Sequence, residues 1–152
     1  MNKQLITALF CLLILTGCSG VMPKLGAENS TLKACPSSPN CVSSQAGDKE
    51  HFIEPIKTTG SALAVKNTLL DILKASPRTA ITSAEGNYIR AEFTSRIFRF
   101  VDDVEFLVME TPPDEVLIHV RSASRVGYSD FGVNRKRIES IRQQMASMIE
   151  AN

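Results

Sequence analysis

The chain has 152 residues, with 17 lysines and arginines against 16 aspartates and glutamates and a formal net charge of +1. That balance excludes an electrostatic nucleic-acid binder and an acidic disordered tail. With 43% hydrophobic and 22% charged residues, four cysteines and no tryptophan, it is composed like one globular domain large enough to bury a core.

Lys3 precedes an apolar run, residues 5–15, in which only Thr7 is polar. The run is too short to span a bilayer as a helix and has the proportions of a signal-peptide core. It closes on Leu15-Thr16-Gly17-Cys18, which resembles a bacterial lipobox. The resemblance implies a signal peptide over residues 1–17 and a lipidated Cys18, palmitate among its acyl chains, as first mature residue. Ser19 in place of Asp implies sorting to the inner leaflet of the outer membrane, facing the periplasm. Loss of Lys3 with the signal peptide balances bases and acids, so lipid rather than charge is expected to anchor the protein. Residues 18–33, with Gly20, Pro23, Gly26, Asn29 and Ser30, read as a lipidated tether. Residues 34–152 read as one domain.

Cys11 leaves with the signal peptide and Cys18 carries lipid, which leaves Cys35 and Cys41 in Cys-Pro-Ser-Ser-Pro-Asn-Cys. In an oxidising compartment two such cysteines pair, so a disulfide pinning the start of the domain is predicted. The spacing is wider than a redox Cys-x-x-Cys. A zinc site would need two more ligands, and the only histidines are His51 and His119.

Residues 51–56 suggest a short edge strand, because Pro55 cannot donate to a ladder. Ala62, Val65, Leu69, Ile72 and Leu73 recur at helical spacing and predict a helix over 61–75, capped by Thr59 or Ser61 and stopped by Pro77. Ile89, Ala91 and Phe93 alternate with Arg90, Glu92 and Thr94; Val104, Phe106 and Val108 alternate in the next run; Val116, Ile118 and Val120 alternate with Leu117, His119 and Arg121. Thr111-Pro-Pro-Asp114 marks a turn between the last two. A second helix is predicted from about Arg135, with Asn134 as N-cap, a Val133–Ile138 staple, and a buried stripe of Ile138, Ile141, Met145, Met148 and Ile149. These elements predict an α+β fold: a three-to-four-stranded antiparallel sheet with two helices packed on one face, in the order β-α-β-β-β-α.

Charge gathers in two blocks. Glu92, Asp102, Asp103, Glu105, Glu110, Asp114 and Glu115 precede Arg121, Arg125, Arg135, Lys136, Arg137 and Arg142, and antiparallel neighbours would set the blocks side by side. Strict alternation places Asp102 on one face with Phe98, Phe100, Val104 and Phe106, a costly position for an unpaired carboxylate. Arg121 or Arg125 is the natural partner, and pairing of Asp102 or Asp103 with either arginine would fix strand register and loop shape; a bulge at Asp102-Asp103 would instead release both acids to solvent. Residues 121–135 combine three arginines, three serines, two glycines and a helix start, donors suited to an anion.

Three stretches, Cys35-Pro-Ser-Ser-Pro-Asn-Cys-Val-Ser-Ser44, Phe100-Val-Asp-Asp-Val-Glu-Phe106 and Arg121-Ser-Ala-Ser-Arg-Val-Gly-Tyr-Ser-Asp-Phe-Gly-Val-Asn-Arg135, resemble in this order the family catalogued as domain of unknown function 1499. The resemblance spans about residues 34–148. It implies a bacterial envelope or organellar domain and no particular reaction. It singles out Asp102, Asp103, Glu105, Arg121, Ser122, Ser124, Arg125, Asp130, Asn134 and Arg135 as the polar site.

Three functions follow from these residues. The first is a non-enzymatic binding or scaffold module whose polar groove takes an anionic small molecule or an envelope protein, with no cofactor. The second is a small hydrolase with Ser122, Ser124 or Ser129 as nucleophile, His119 as base and Asp102 or Asp103 as its orienter; it has no Gly-x-Ser-x-Gly elbow, and His119 faces away from Ser122 and Ser124. The third is a metal site of Asp102, Asp103 and Glu105, disfavoured because successive strand residues point apart.

Overall fold

The β-periodic runs form the centre of the sheet. In the computed structural model, which describes residues 20–150, Tyr88–Thr94, Val101–Thr111 and Glu115–Ser124 are consecutive antiparallel strands. Ile89, Ala91, Val104, Phe106, Val108, Val116, Ile118 and Val120 line one face and are buried. The signal-peptide segment and Cys18 lie outside the described residues.

Numbered in chain order, the strands are β1 (Ala27–Glu28), β2 (Thr31–Leu32), β3 (Cys41–Ser43), β4 (Ile56–Thr59), β5 (Thr79–Ser83), β6 (Tyr88–Thr94), β7 (Val101–Thr111) and β8 (Glu115–Ser124); the helices are α1 (Ala62–Ala75) and α2 (Val133–Glu150). The main sheet runs β3-β8-β7-β6-β5, and β4 also pairs with β8. It thus has six strands, not three or four. β3 and β4 share the β8 edge end to end, opposite residues 121–123 and 115–118 respectively. The α+β class and the antiparallel pairing are as the alternation predicts. The strand expected at 51–56 lies later, as β4: Pro55 precedes it, and Phe52 makes only an isolated bridge to Ser43.

Among the described residues two helices cover the apolar face. Val65, Leu69, Ile72 and Leu73 of α1 and Ile138, Ile141 and Met145 of α2 complete one core with the sheet. Ser61 caps α1, accepting the Ala64 N–H at 3.2 Å. The start of α2 differs from expectation. Val133 and Asn134 lie inside the helix, and Asp130 supplies the cap, its carboxylate accepting the Gly132 N–H at 3.0 Å and the Asn134 N–H at 2.7 Å. A carboxylate is the stronger acceptor and sits favourably at a helix N-terminus. Asn134 is thereby free to turn inward, where it is fully buried.

Among the described residues no helix lies on the opposite face of the sheet. Part of the stretch read as a tether returns there. β1 and β2 form a small hairpin, β2 lies against β8, and Leu32 is buried. Cys35 and Cys41 are disulfide-bonded, with Cα atoms 5.7 Å apart.

Candidate functional site

Asp102 and Asp103 are neighbours on β7 and therefore face opposite sides of the sheet. Each is the centre of a separate polar network, and the residues singled out from the sequence divide between the two.

On the helix side, Asp102 stands across from Phe93 and Ser124. Its partner is Arg137 of α2, whose Nη2 donates to Oδ2 at 2.5 Å; neither Arg121 nor Arg125 reaches it. The same guanidinium donates through Nη1 to Ser122 Oγ at 2.9 Å and Asn134 Oδ1 at 2.6 Å, and lies 4.8 Å over the Phe93 ring. Ser122 also donates to Asn134 Oδ1 at 2.6 Å. Asn134 Nδ2 donates to Ser124 Oγ and to the carbonyl of Asn40, both at 3.0 Å. Asn40 Nδ2 in turn donates to the Gly127 carbonyl at 2.7 Å. Asn40 immediately precedes Cys41, so the disulfide loop presents it to the network. All three family-like stretches meet here.

On the helix-free face, the cross-strand register interleaves acids and arginines. Glu92 stands across from Asp103, Arg90 from Glu105, and Glu105 from Arg121. Ala123 faces Asp103 on β8 and offers only a methyl group. Arg125, one pleat further on, donates Nε to Asp103 Oδ2 at 2.7 Å and Nη2 to Oδ1 at 2.8 Å, a bidentate pair, and Nη2 also meets Glu92. Arg90 Nη2 reaches Asp103 Oδ1 diagonally at 2.5 Å. Arg121 Nη1 donates to Glu105 Oε2 at 3.0 Å, and the Tyr88 hydroxyl to Oε1 at 2.8 Å. Asp103 and Glu105 are 1% and 0% exposed.

These contacts set the protonation states. Burial pushes the Asp103 carboxyl up, but the hydrogen bonds from Arg125 and Arg90 outweigh it and hold the group below its ordinary value. The bond to Asp103 raises the already basic Arg125. Burial, then the charge of Glu105, pushes the Tyr88 phenol up, so it stays a donor. Arg121 Nε is the one buried side-chain polar atom without a hydrogen-bond partner among the described residues.

The remaining predicted residues lie elsewhere. Asp130 is the helix cap. Arg135 donates to the Glu50 carbonyl at 3.0 Å from a half-buried position. Ser129 is on an exposed loop. His119 faces away from Ser122 and Ser124, and its Nδ1 lies 3.1 Å from Ser44 Oγ, which also accepts the Val120 N–H at 2.9 Å. Among the described residues no three His, Cys, Asp or Glu side chains converge to hold a metal ion; Asp102 is separated from Asp103 and Glu105 by the sheet itself. The sequence reading missed Arg137, Arg90, Asn40 and Tyr88. Extending the α2 stripe back four residues from Ile138 reaches Asn134, and Arg137 stands beside it one turn on, which is a usable signal. Asn40 left none.

Removing one partner of a buried, multiply bonded carboxylate leaves charge uncompensated. Asp103→Asn is expected to cost about 3–5 kcal/mol, and Arg135→Ala less than about 0.5 kcal/mol, by denaturant unfolding. The two histidines should pull stability in opposite directions with pH. Hydrogen bonding to Asp48 raises His51 above the ordinary 6.5, so its contribution is full below 6.5 and fades as pH rises through the folded value. Burial lowers His119 below 6.5, so the unfolded chain gains the proton first and stability falls as pH drops below 6.5. His51→Gln should therefore lose stability mainly on the acid side, and His119→Gln should flatten the acid-side fall. Unfolding curves across this range check both signs.

Comparison with family models finds a match to the family described as Protein of unknown function (DUF1499) over residues 31–145. No curated protein and no solved structure matches. The matched span takes in the disulfide loop, the whole main sheet and α2 through Met145, hence both polar networks, and the chain belongs to the DUF1499 family.

Proposed function

We propose that this is an exported envelope protein, lipid-anchored through Cys18 at the inner leaflet of the outer membrane, whose domain acts as a non-enzymatic binding or scaffold module. The observation that carries the module reading is how its polar groups are used. Asp102, Asp103, Glu105, Arg121, Arg125 and Arg137 are committed to one another, and Ser122, Ser124 and Asn134 to a closed hydrogen-bond cluster. An anion site needs several donors to spare, whereas these guanidiniums already hold carboxylates and, among the described residues, only Arg121 Nε is buried without a partner. The paired networks make a rigid frame, which favours an envelope protein over a small anion as partner.

The hydrolase alternative has one contact in its favour, the Ser44–His119 pair. Against it, Ser44 Oγ is engaged by the Val120 N–H, and no carboxylate orients His119 among the described residues.

Membrane fractionation and mass analysis of the mature N-terminus test the anchor. An acylated Cys18 is expected, with Cys18→Ser moving the protein to the soluble fraction; an unacylated soluble chain contradicts it. A fluorophosphonate probe is expected to label none of Ser44, Ser122, Ser124 and Ser129, and labelling at any of them contradicts the non-enzymatic reading.

A further inference from the structure

We propose that the end of the sheet where β6 passes to β7 and β8 passes to α2 is a membrane-docking surface, occupied by the bilayer in which Cys18 is anchored. The proposal rests on the lipid-anchor reading above. Three observations meet at this end. The β6–β7 connection is Ser95-Arg-Ile-Phe-Arg-Phe100, in which Ile97 and Phe98 are 78% and 67% exposed and Phe98 stacks on Phe100. The β8–α2 connection leaves from the same end, since the Arg125 N–H bonds the Val101 carbonyl at 3.1 Å; it carries Tyr128 and Phe131, 74% and 88% exposed. The described chain also begins here: a Cβ placed on Gly20 would come within 2.8 Å of Arg125 Cβ. Cys18 is two residues upstream, a covalent reach of about 7 Å.

A lead this short holds the same end of the domain against the headgroups whenever the acyl chains are inserted. Its side chains suit that position. Exposed phenyl and phenol rings partition to the bilayer interface, where an apolar body meets a polar boundary. Arg96 and Arg99 make no ion pair among the described residues, unlike the interior arginines, and a free guanidinium fork matches a lipid phosphate. At the far end, the β7–β8 turn is flanked by exposed Glu110, Asp114 and Glu115. These exposed carboxylates lie away from the docking end, the placement an anionic membrane favours.

The chain contains no tryptophan, so a single introduced indole reports its own position. Full-length Phe98→Trp, Phe131→Trp and Asp114→Trp proteins are purified and reconstituted into vesicles of phosphatidylethanolamine and phosphatidylglycerol carrying brominated acyl chains. The expected result is a blue shift and strong quenching at positions 98 and 131, with neither at 114. Acylated, vesicle-bound protein that shows no quenching at 98 and 131 overturns the docking surface and leaves the anchor intact. If mass analysis finds Cys18 unacylated, the anchor reading fails separately; quenching at 98 and 131 in that chain still supports the surface, and its absence overturns it. A blue shift at 98 that is present without vesicles and grows with protein concentration assigns the patch to a second copy of the chain and overturns the membrane proposal.

Discussion

Two adjacent carboxylates on a β-strand must point to opposite faces of the sheet. Asp102 and Asp103 obey that constraint at the start of β7, and the polar organisation of the domain follows from it. One acid faces the helices and is met by Arg137; the other faces away and is met by Arg90 and Arg125. A one-residue slip of β7 would bring Asp103 in among the apolar side chains and carry Asp102 away from Arg137. Both networks therefore act on the same choice of register. Buried ion pairs add little net stability over well-packed apolar residues, but an unpaired buried charge is heavily penalised. The pairs are best understood as selecting one register against its neighbours.

The helix-side network also explains why three distant stretches carry the family's pattern. The disulfide loop supplies the Asn40 carbonyl, β7 supplies Asp102, β8 supplies Ser122 and Ser124, and α2 supplies Asn134 and Arg137. Docking α2 and the loop onto the sheet closes the cluster, so each segment's placement depends on the others. The Cys35–Cys41 bridge closes a short loop, worth about 2 kcal/mol of denatured-state entropy. Its larger structural consequence is local: it holds Asn40 beside β8, where the Asn40 carbonyl also accepts the Ser124 N–H at 3.0 Å.

Local pattern was enough for the central elements. The alternation of β6 to β8, the turn after Thr111 and the Ser61 cap are short-range signals, and each appears where the pattern placed it. The edge strands were illegible for physical reasons. β5 has Ile81 as its main apolar inward residue, and β3 is hidden inside a cysteine- and serine-rich run. Alternation extended too far upstream put Phe98 and Phe100 on the core face, whereas the Ser95 N–H bonds the Phe100 carbonyl at 2.8 Å and closes the connection, leaving both rings exposed. At α2 the predicted cap, Asn134, lies inside the helix, and the carboxylate of Asp130 four residues earlier caps it instead. The opposite facing of Asp102 and Asp103 was legible, and so was Arg125 as a partner for Asp103; the partner of Asp102 was not. Which arginine meets Asp102 depends on how α2 docks, a long-range event with no local signature.

The separation of the two networks is tested most directly by double-mutant cycles on unfolding free energy. Asp103→Asn with Arg125→Gln and Asp102→Asn with Arg137→Gln each probe a pair within one network, and Asp103→Asn with Arg137→Gln probes a pair across the sheet. Coupling of about 1–3 kcal/mol is expected for the first two and within about 0.5 kcal/mol of zero for the third. Cross-sheet coupling as large as that within either network would contradict the account, because the two acids would then share one site.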